Sequence, residues 1–238
     1  MIIRYGTQHL SPDTGGTTPR LHHRDPLSQP PRYTLGAAPP SQPITYTFTP
    51  WTPSPSGSGD GHLLLVPQPL TRNPREPPAP VYRITASVNL DPFLPISCIT
   101  QVHRPAPWDA EAPGELVGKF ELSLNQQRAV LTMGDTTTRL LNVLSSIGGS
   151  LRHWKWTFNA VQLRWDCRTN LDDGSPMCIC YALPSDHQLA SFVPPSPEAS
   201  PPLPPATLTV FPRGHEDDLL DHIVLSALVV ERKMMAAM

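Results

Sequence analysis

One stretch limits the folds open to this chain more than any other: Ile223-Val-Leu-Ser-Ala-Leu-Val-Val230, close to the C-terminus. Glu216, Asp217, Asp218 and Asp221 come before it, and Arg232 and Lys233 close it. Acid first and base last is the order that a helix macrodipole favours. The run is apolar on every face of a helix, so one stripe packed on a surface does not account for it. A helix of that kind is wrapped by protein. The run is also well short of the roughly 18 apolar residues of a membrane span. The expectation is a buried helical plug with strands around it.

The prolines mark where those strands lie. Of the 32 prolines in the chain, none falls between Pro113 and Pro176, and 8 lie in the first 43 residues. Interior strands of a packed sheet exclude proline, so the proline-free block reads as the heart of the domain. Residues 1–43, rich in Pro, Ser, Thr, Gly and His without a sustained period, read as a disordered N-terminal arm. His22-His23 in that arm has no ligand pattern near it to complete a metal site, and reads as solvated. The domain then spans 44–238, with a Pro-rich loop insertion at 194–205.

Period-2 alternation predicts the strands. Ile44, Tyr46 and Phe48 alternate with threonines; 62–66, 81–88 and 96–104 follow. Over 116–124, Leu116, Gly118, Phe120, Leu122 and Leu124 share one face and Lys119, Glu121 and Ser123 the other. Residues 128–133 are expected to pair back on that strand. The spacing of Leu140, Leu141 and Leu144 before Gly148-Gly149 predicts a short helix over 138–147. The clearest hairpin is next. Trp154, Trp156 and Phe158 alternate with Lys155 and Thr157, and after Asn159-Ala160, Val161, Leu163, Trp165 and Cys167 alternate with Gln162, Arg164 and Asp166. Two amphipathic strands joined by so short a turn form a β-hairpin. Strands at 177–183, 189–193 and 207–211 complete about eleven. A sheet of that size curls or closes, and closure removes its edges. The predicted fold is therefore mainly β: a closed antiparallel barrel threaded by the C-terminal hydrophobic α-helix.

The order of elements resembles a domain of unknown function from basidiomycete fungi, grouped with tubby-like C-terminal domains, LURP-one-related proteins and phospholipid scramblases. The resemblance is carried by Ile99-Thr-Gln-Val-His-Arg104, Trp154-Lys-Trp156, the strand from Val161 to Trp165, and above all Leu219-Leu-Asp-His-Ile-Val-Leu-Ser-Ala-Leu-Val-Val-Glu-Arg232. It covers roughly 44–234 and implies a barrel of about 12 strands around a central hydrophobic helix. The activity of that family is itself unknown, so the resemblance brings a fold and little chemistry. The arm before Ile44 and the 194–205 insertion depart from it.

Few motifs carry chemistry. Cys178-x-Cys180, with Cys167 opposite, lacks the loop-borne ligand pairs of a zinc site and reads as buried structural cysteine. Asp172-Asp-Gly174 lacks the spaced ligands of a calcium loop and reads as a polar turn. No nucleophile elbow or phosphate-binding loop is present. Asp221 and His222 are adjacent on the helix and so face different ways. They read as capping or surface groups. No metal, cofactor or catalytic residue is expected.

Charge is nearly balanced, 18 basic against 20 acidic residues, which implies no pull toward nucleic acid. The N-terminus lacks a signal-peptide core and the chain has no Asn-x-Ser/Thr sequon, so its four cysteines are expected reduced in an intracellular, cytoplasmic protein. Some tubby-like domains bind phosphoinositides through surface cations. Here Arg152, Lys155, Arg164 and Arg168 lie on or beside one hairpin and are the candidate anionic-lipid contacts, against a solvated face balanced by Asp166. The function expected is that of a non-enzymatic intracellular adaptor, binding protein or lipid partners. The alternative is a lipid- or small-molecule-binding or -modifying protein, phosphoinositide-binding or scramblase-like, with a site at a barrel end. A scramblase needs its helix to reach a bilayer, for which this run is too short.

Overall fold

The computed structural model describes residues 40–53, 61–68, 78–106, 109–125, 128–196, 198–216 and 218–236. The arm up to residue 39, with His22 and His23, lies outside them, as does most of the Pro53–Gly61 loop. The strands in chain order are β1 (Ile44–Phe48), β2 (Thr52–Pro53), β3 (Gly61–Pro67), β4 (Tyr82–Asn89), β5 (Ser97–Ala106), β6 (Asp109–Ser123), β7 (Ala129–Met133), β8 (Thr136–Arg139), β9 (Leu144–Ser146), β10 (His153–Phe158), β11 (Val161–Asn170), β12 (Pro176–Ala182), β13 (Gln188–Val193) and β14 (Thr207–Val210). A single-turn 3-10 helix, Pro212–His215, leads from β14 to α1 (Leu219–Met235).

The strands form one antiparallel sheet in the order β8-β7-β6-β5-β4-β3-β1-β14-β13-β12-β11-β10-β9, with β2 beside β3. The expectation of a closed barrel of about 12 strands is corrected on both counts: the sheet has 14 strands, and hydrogen bonds do not close it. Its free edges are β8 and β9. The cause is local. Leu140–Asn142 forms a 3-10 turn that carries the chain from one edge to the other, so the seam is crossed by backbone rather than by a strand pair. This segment is also where a helix over 138–147 is predicted, and the helix is absent. Leu140 and Leu144 are buried and Leu141 is exposed, a spacing that strand, turn and strand satisfy equally well. Pairing with β7 and β10 then overrides local preference.

Registers elsewhere follow the alternation. Trp154 pairs with Trp165, Lys155 with Arg164 and Trp156 with Leu163, around the Asn159-Ala160 turn. Trp154, Trp156, Phe158, Leu163 and Trp165 are all buried, as their period requires. In β6 the predicted face fails at its ends. Val102 pairs with Gly118 and His103 with Leu116, so a bulge leaves Val117 as the extra residue. Val117 turns in and Leu116 out, while Leu124 lies beyond the strand and is exposed.

The sheet curls round α1. Every residue from Asp221 to Val230 is buried. Within that stretch, Asp221 bonds to Tyr82 on β4 and Arg104 on β5, His222 receives Trp156 on β10, and Ser226 receives Trp165 on β11. Strands from both halves of the sheet therefore meet one helix. Strand β6 packs on α1 at Gly118. A Cβ on Gly118 would lie 2.8 Å from Leu225 Cδ2 and 3.0 Å from the Thr132 carbonyl. Glycine lets the strand lie against the helix there.

Candidate functional site

The four hairpin cations singled out in the sequence are mostly engaged within the protein. Arg152 donates to Asn170 Oδ1 at 2.5 Å. Arg164 pairs with Asp186 at 3.0 Å and lies over the Tyr181 ring, 4.4 Å from its centroid. Arg168 donates to Asp166 through Nε at 2.8 Å and a terminal nitrogen at 2.6 Å. Those hydrogen bonds hold the Asp166 carboxyl down at about 2. Lys155, cross-strand partner of Arg164, makes no ion pair among the described residues. Two of the four hairpin cations, Arg164 and Arg168, are thus neutralised by carboxylates, while Arg152 and Lys155 keep their charge.

Two further clusters flank the ends of α1. At its start, Asp221 Oδ1 accepts the Tyr82 hydroxyl at 2.5 Å, and Oδ2 accepts Arg104 at 2.5 Å. Arg104 also reaches Glu115 at 3.5 Å and Asp218 at 3.8 Å. Burial raises the Asp221 carboxyl above its ordinary range in spite of the tyrosine and arginine. Next to it, His222 takes the Trp156 indole N–H on Nδ1 at 3.4 Å, and burial lowers its pKa, so the ring is held neutral. Every strong donor here has an acceptor. The arrangement anchors the helix start to β4, β5 and β10. The sequence reading of Asp221 and His222 as surface or capping groups is corrected: both are buried, and α1 has no side-chain N-cap bond.

At the other end, where α1 emerges, two clefts share Arg128, Ala129 and Lys233. One, of about 460 Å³, lies along the seam between Arg139, Leu140, Leu144 and Trp154. The other, of about 350 Å³, is lined by Phe120, Leu122, Leu124, Arg232 and Met235. The groove is apolar in its walls and cationic at its rim. Arg128 pairs with Glu121 at 3.4 Å. Arg139, Arg232 and Lys233 make no ion pair among the described residues. Trp154, 8% exposed, lines the groove, and its Nε1 has no acceptor among those residues. That nitrogen is itself shielded from solvent, so Trp154 contributes its ring, not its N–H, to the lining. Sequence reading sees Arg232 and Lys233 only as complements to the helix dipole. Arg128 and Arg139 lie on or beside strands, and only the curl of the sheet brings them to the helix end.

Three of the four cysteines are packing groups. Cys167, Cys178 and Cys180 are fully buried and unbridged, and Cys98 is exposed. A hydrogen bond with Cys167, then burial, raises the Cys178 thiol; burial raises Cys180. Among the described residues no cluster of His, Cys, Asp and Glu could hold a metal ion, and no helix is long and apolar enough to cross a membrane.

No curated protein and no solved structure matches the chain. Residues 69–236 match the profile described as "Family of unknown function (DUF6593)", which takes in β4 to β14, the groove and all of α1. That match covers more than half of the chain, and the protein belongs to this family.

Proposed function

We propose that this protein is a non-enzymatic binding module whose partner carries an anionic group beside an apolar one, held in the groove where α1 leaves the sheet. The observation that carries this reading is the meeting of Arg139, Arg232 and Lys233, free of ion pairs among the described residues, with the apolar side chains of Leu140, Leu144, Phe120, Leu122 and Trp154. Cations beside apolar surface bind amphiphilic anions by adding hydrophobic contact to charge-assisted hydrogen bonds. The groove displaces the Arg152, Lys155, Arg164 and Arg168 hairpin as the favoured contact, because Arg164 and Arg168 are already paired with carboxylates and Arg152 is held by Asn170.

A non-enzymatic role is supported by the way α1 fills the concave side of the sheet and pairs the polar groups there with one another. The same architecture, a helix wrapped by antiparallel strands, supports our grouping of this family, as a basidiomycete one, with tubby-like, LURP-one-related and scramblase domains. Three buried, unbridged cysteines support an intracellular setting.

Trp154 lies in the groove and provides the test. Titration with dodecyl phosphate below its micellar range is expected to give a saturable change in tryptophan fluorescence. Dodecanol and inorganic phosphate are each expected to give far less. Arg139→Glu with Lys233→Glu should remove the response, and replacing Arg152, Lys155, Arg164 and Arg168 by alanine should leave it. The reverse pattern would move the site to the hairpin.

A further inference from the structure

We infer that this end of the protein docks on an anionic bilayer, with the β4–β5 loop inserted into the acyl region and the helix-end cations on the headgroups. The inference rests on the reading of the groove above for its charge, and on a separate apolar surface for its depth. That surface is the loop Leu90-Asp-Pro-Phe-Leu-Pro-Ile96. Phe93 is 92% exposed, Leu90 70% and Ile96 49%, and Leu124 on the adjoining β6–β7 turn is 70% exposed. Scattered exposed apolar residues are ordinary, whereas four on two adjoining loop tips form a patch of the kind that marks an interaction site.

The loop is ordered in this projecting form. Asn89 Oδ1 accepts the Asp91 N–H at 3.0 Å, Asp91 Oδ1 accepts the Phe93 N–H at 2.9 Å, and the Asp91 carbonyl accepts the Leu94 N–H at 3.1 Å. Pro92 and Pro95 stiffen it further. The Leu124 N–H donates to the Ile96 carbonyl at 3.0 Å, tying the two tips into one projection. Little freedom is left to lose on insertion, and the phenyl ring stands clear of the body.

Beside the base of this projection lie Arg232 and Lys233, with Arg128 paired to Glu121, which also accepts Ser97 Oγ at 2.5 Å. Cys98 follows the loop on β5 and pairs with Leu122 on β6. Both line the same cleft as Leu124, Arg128, Arg232 and Lys233. Asp91 is the acid within the loop, and its carboxylate fixes the depth by staying at the headgroup level. A convex, rigid apolar tip with cations beside its base suits a bilayer, which deforms to meet it and needs no matching pocket. Stable attachment takes two signals, an apolar insertion and a basic patch. Each base near an anionic surface adds to the attraction.

The full chain is tested by sedimentation with vesicles of phosphatidylcholine alone or with roughly a third phosphatidylserine, the ordinary kind of anionic surface. Binding is expected to the mixed vesicles and to be at least tenfold weaker on phosphatidylcholine alone. Phe93→Ser should weaken it tenfold or more while leaving near-UV circular dichroism and the dodecyl phosphate response unchanged. Phe93→Trp should add fluorescence that lipids with a shallow acyl nitroxide quench. Equal vesicle binding by Phe93→Ser would overturn insertion of the tip. Self-association that needs Phe93, without vesicle binding, would overturn it in favour of a protein interface. Vesicle binding through Phe93 with no dodecyl phosphate response would keep the docking and remove the groove as a ligand site.

Discussion

Trp165 on β11 donates its indole N–H to Ser226 Oγ on α1 across 2.9 Å, with both side chains fully buried. The serine hydroxyl in turn donates to the Ile223 carbonyl at 3.2 Å, so the chain of donors ends on backbone. One of the three tryptophans of the clearest hairpin is thereby fixed to the middle of the apolar run of α1. Ser226→Ala is expected to strand the indole N–H in a dry interior and cost about 1–3 kcal/mol. Urea unfolding, followed by circular dichroism, checks this. A midpoint equal to the parent's would show that the bond contributes nothing net.

Gly118 lies where β6 crosses Leu225. Gly118→Ala would put a methyl 2.8 Å from the leucine Cδ2 and 3.0 Å from the Thr132 carbonyl. The leucine end can swing and the carbonyl cannot, so overpacking of about 1–3 kcal/mol is expected. Adding Leu225→Val should recover part of the loss, read as a coupling in a double-mutant thermal-melt series. Full additivity would place the clash on the carbonyl alone.

Tyr82 joins β4 to the start of α1. Burial, then the Asp221 carboxylate, raises its hydroxyl pKa, and burial pushes Tyr46 up to about 12. In the unfolded chain both ionise near the ordinary value of about 10. Their contribution is whole below that pH and is lost as pH rises above it. Tyr82→Phe is expected to cost about 1–2 kcal/mol at neutral pH, through the lost bond to Asp221. It should also flatten the alkaline fall in melting temperature. Parallel curves for parent and variant above pH 10 would contradict the coupling.

Of the four cysteines, only Cys98 is exposed. Thiolates are the reactive species, and buried thiols with raised pKa values stay protonated. Ellman's reagent is therefore expected to count one fast thiol in the native protein and four after denaturation. Cys98→Ser should abolish the fast phase. Rapid reaction of Cys167 or Cys178 in that variant would mean that the β11–β12 face opens readily.

Much of this architecture follows from the sequence alone. The period of Trp154 to Trp165 determines the hairpin and its buried face, because a pleated strand alternates its side chains whatever lies beyond it. The uniformly apolar run to Val230 requires burial on all sides, because no surface would tolerate it. Proline positions separate sheet from loop, because a ladder needs every N–H. The seam, the β6 bulge and the polar anchors were decided by tertiary structure. Leu140, Leu141 and Leu144 fit a helix or a strand pair, and only β7 and β10 choose between them. Nothing local in Tyr82, Arg104 and Asp221 announces that they meet, since the bonds cross from β4 and β5 to a helix far along the chain. Arg128, Arg139 and Lys233 likewise become one groove only when the sheet curls, and Phe93 becomes a projecting tip only once its neighbours are packed away. Short-range periodicity determines which residues must be hidden; closure in three dimensions decides which of them, and which charges, end up side by side.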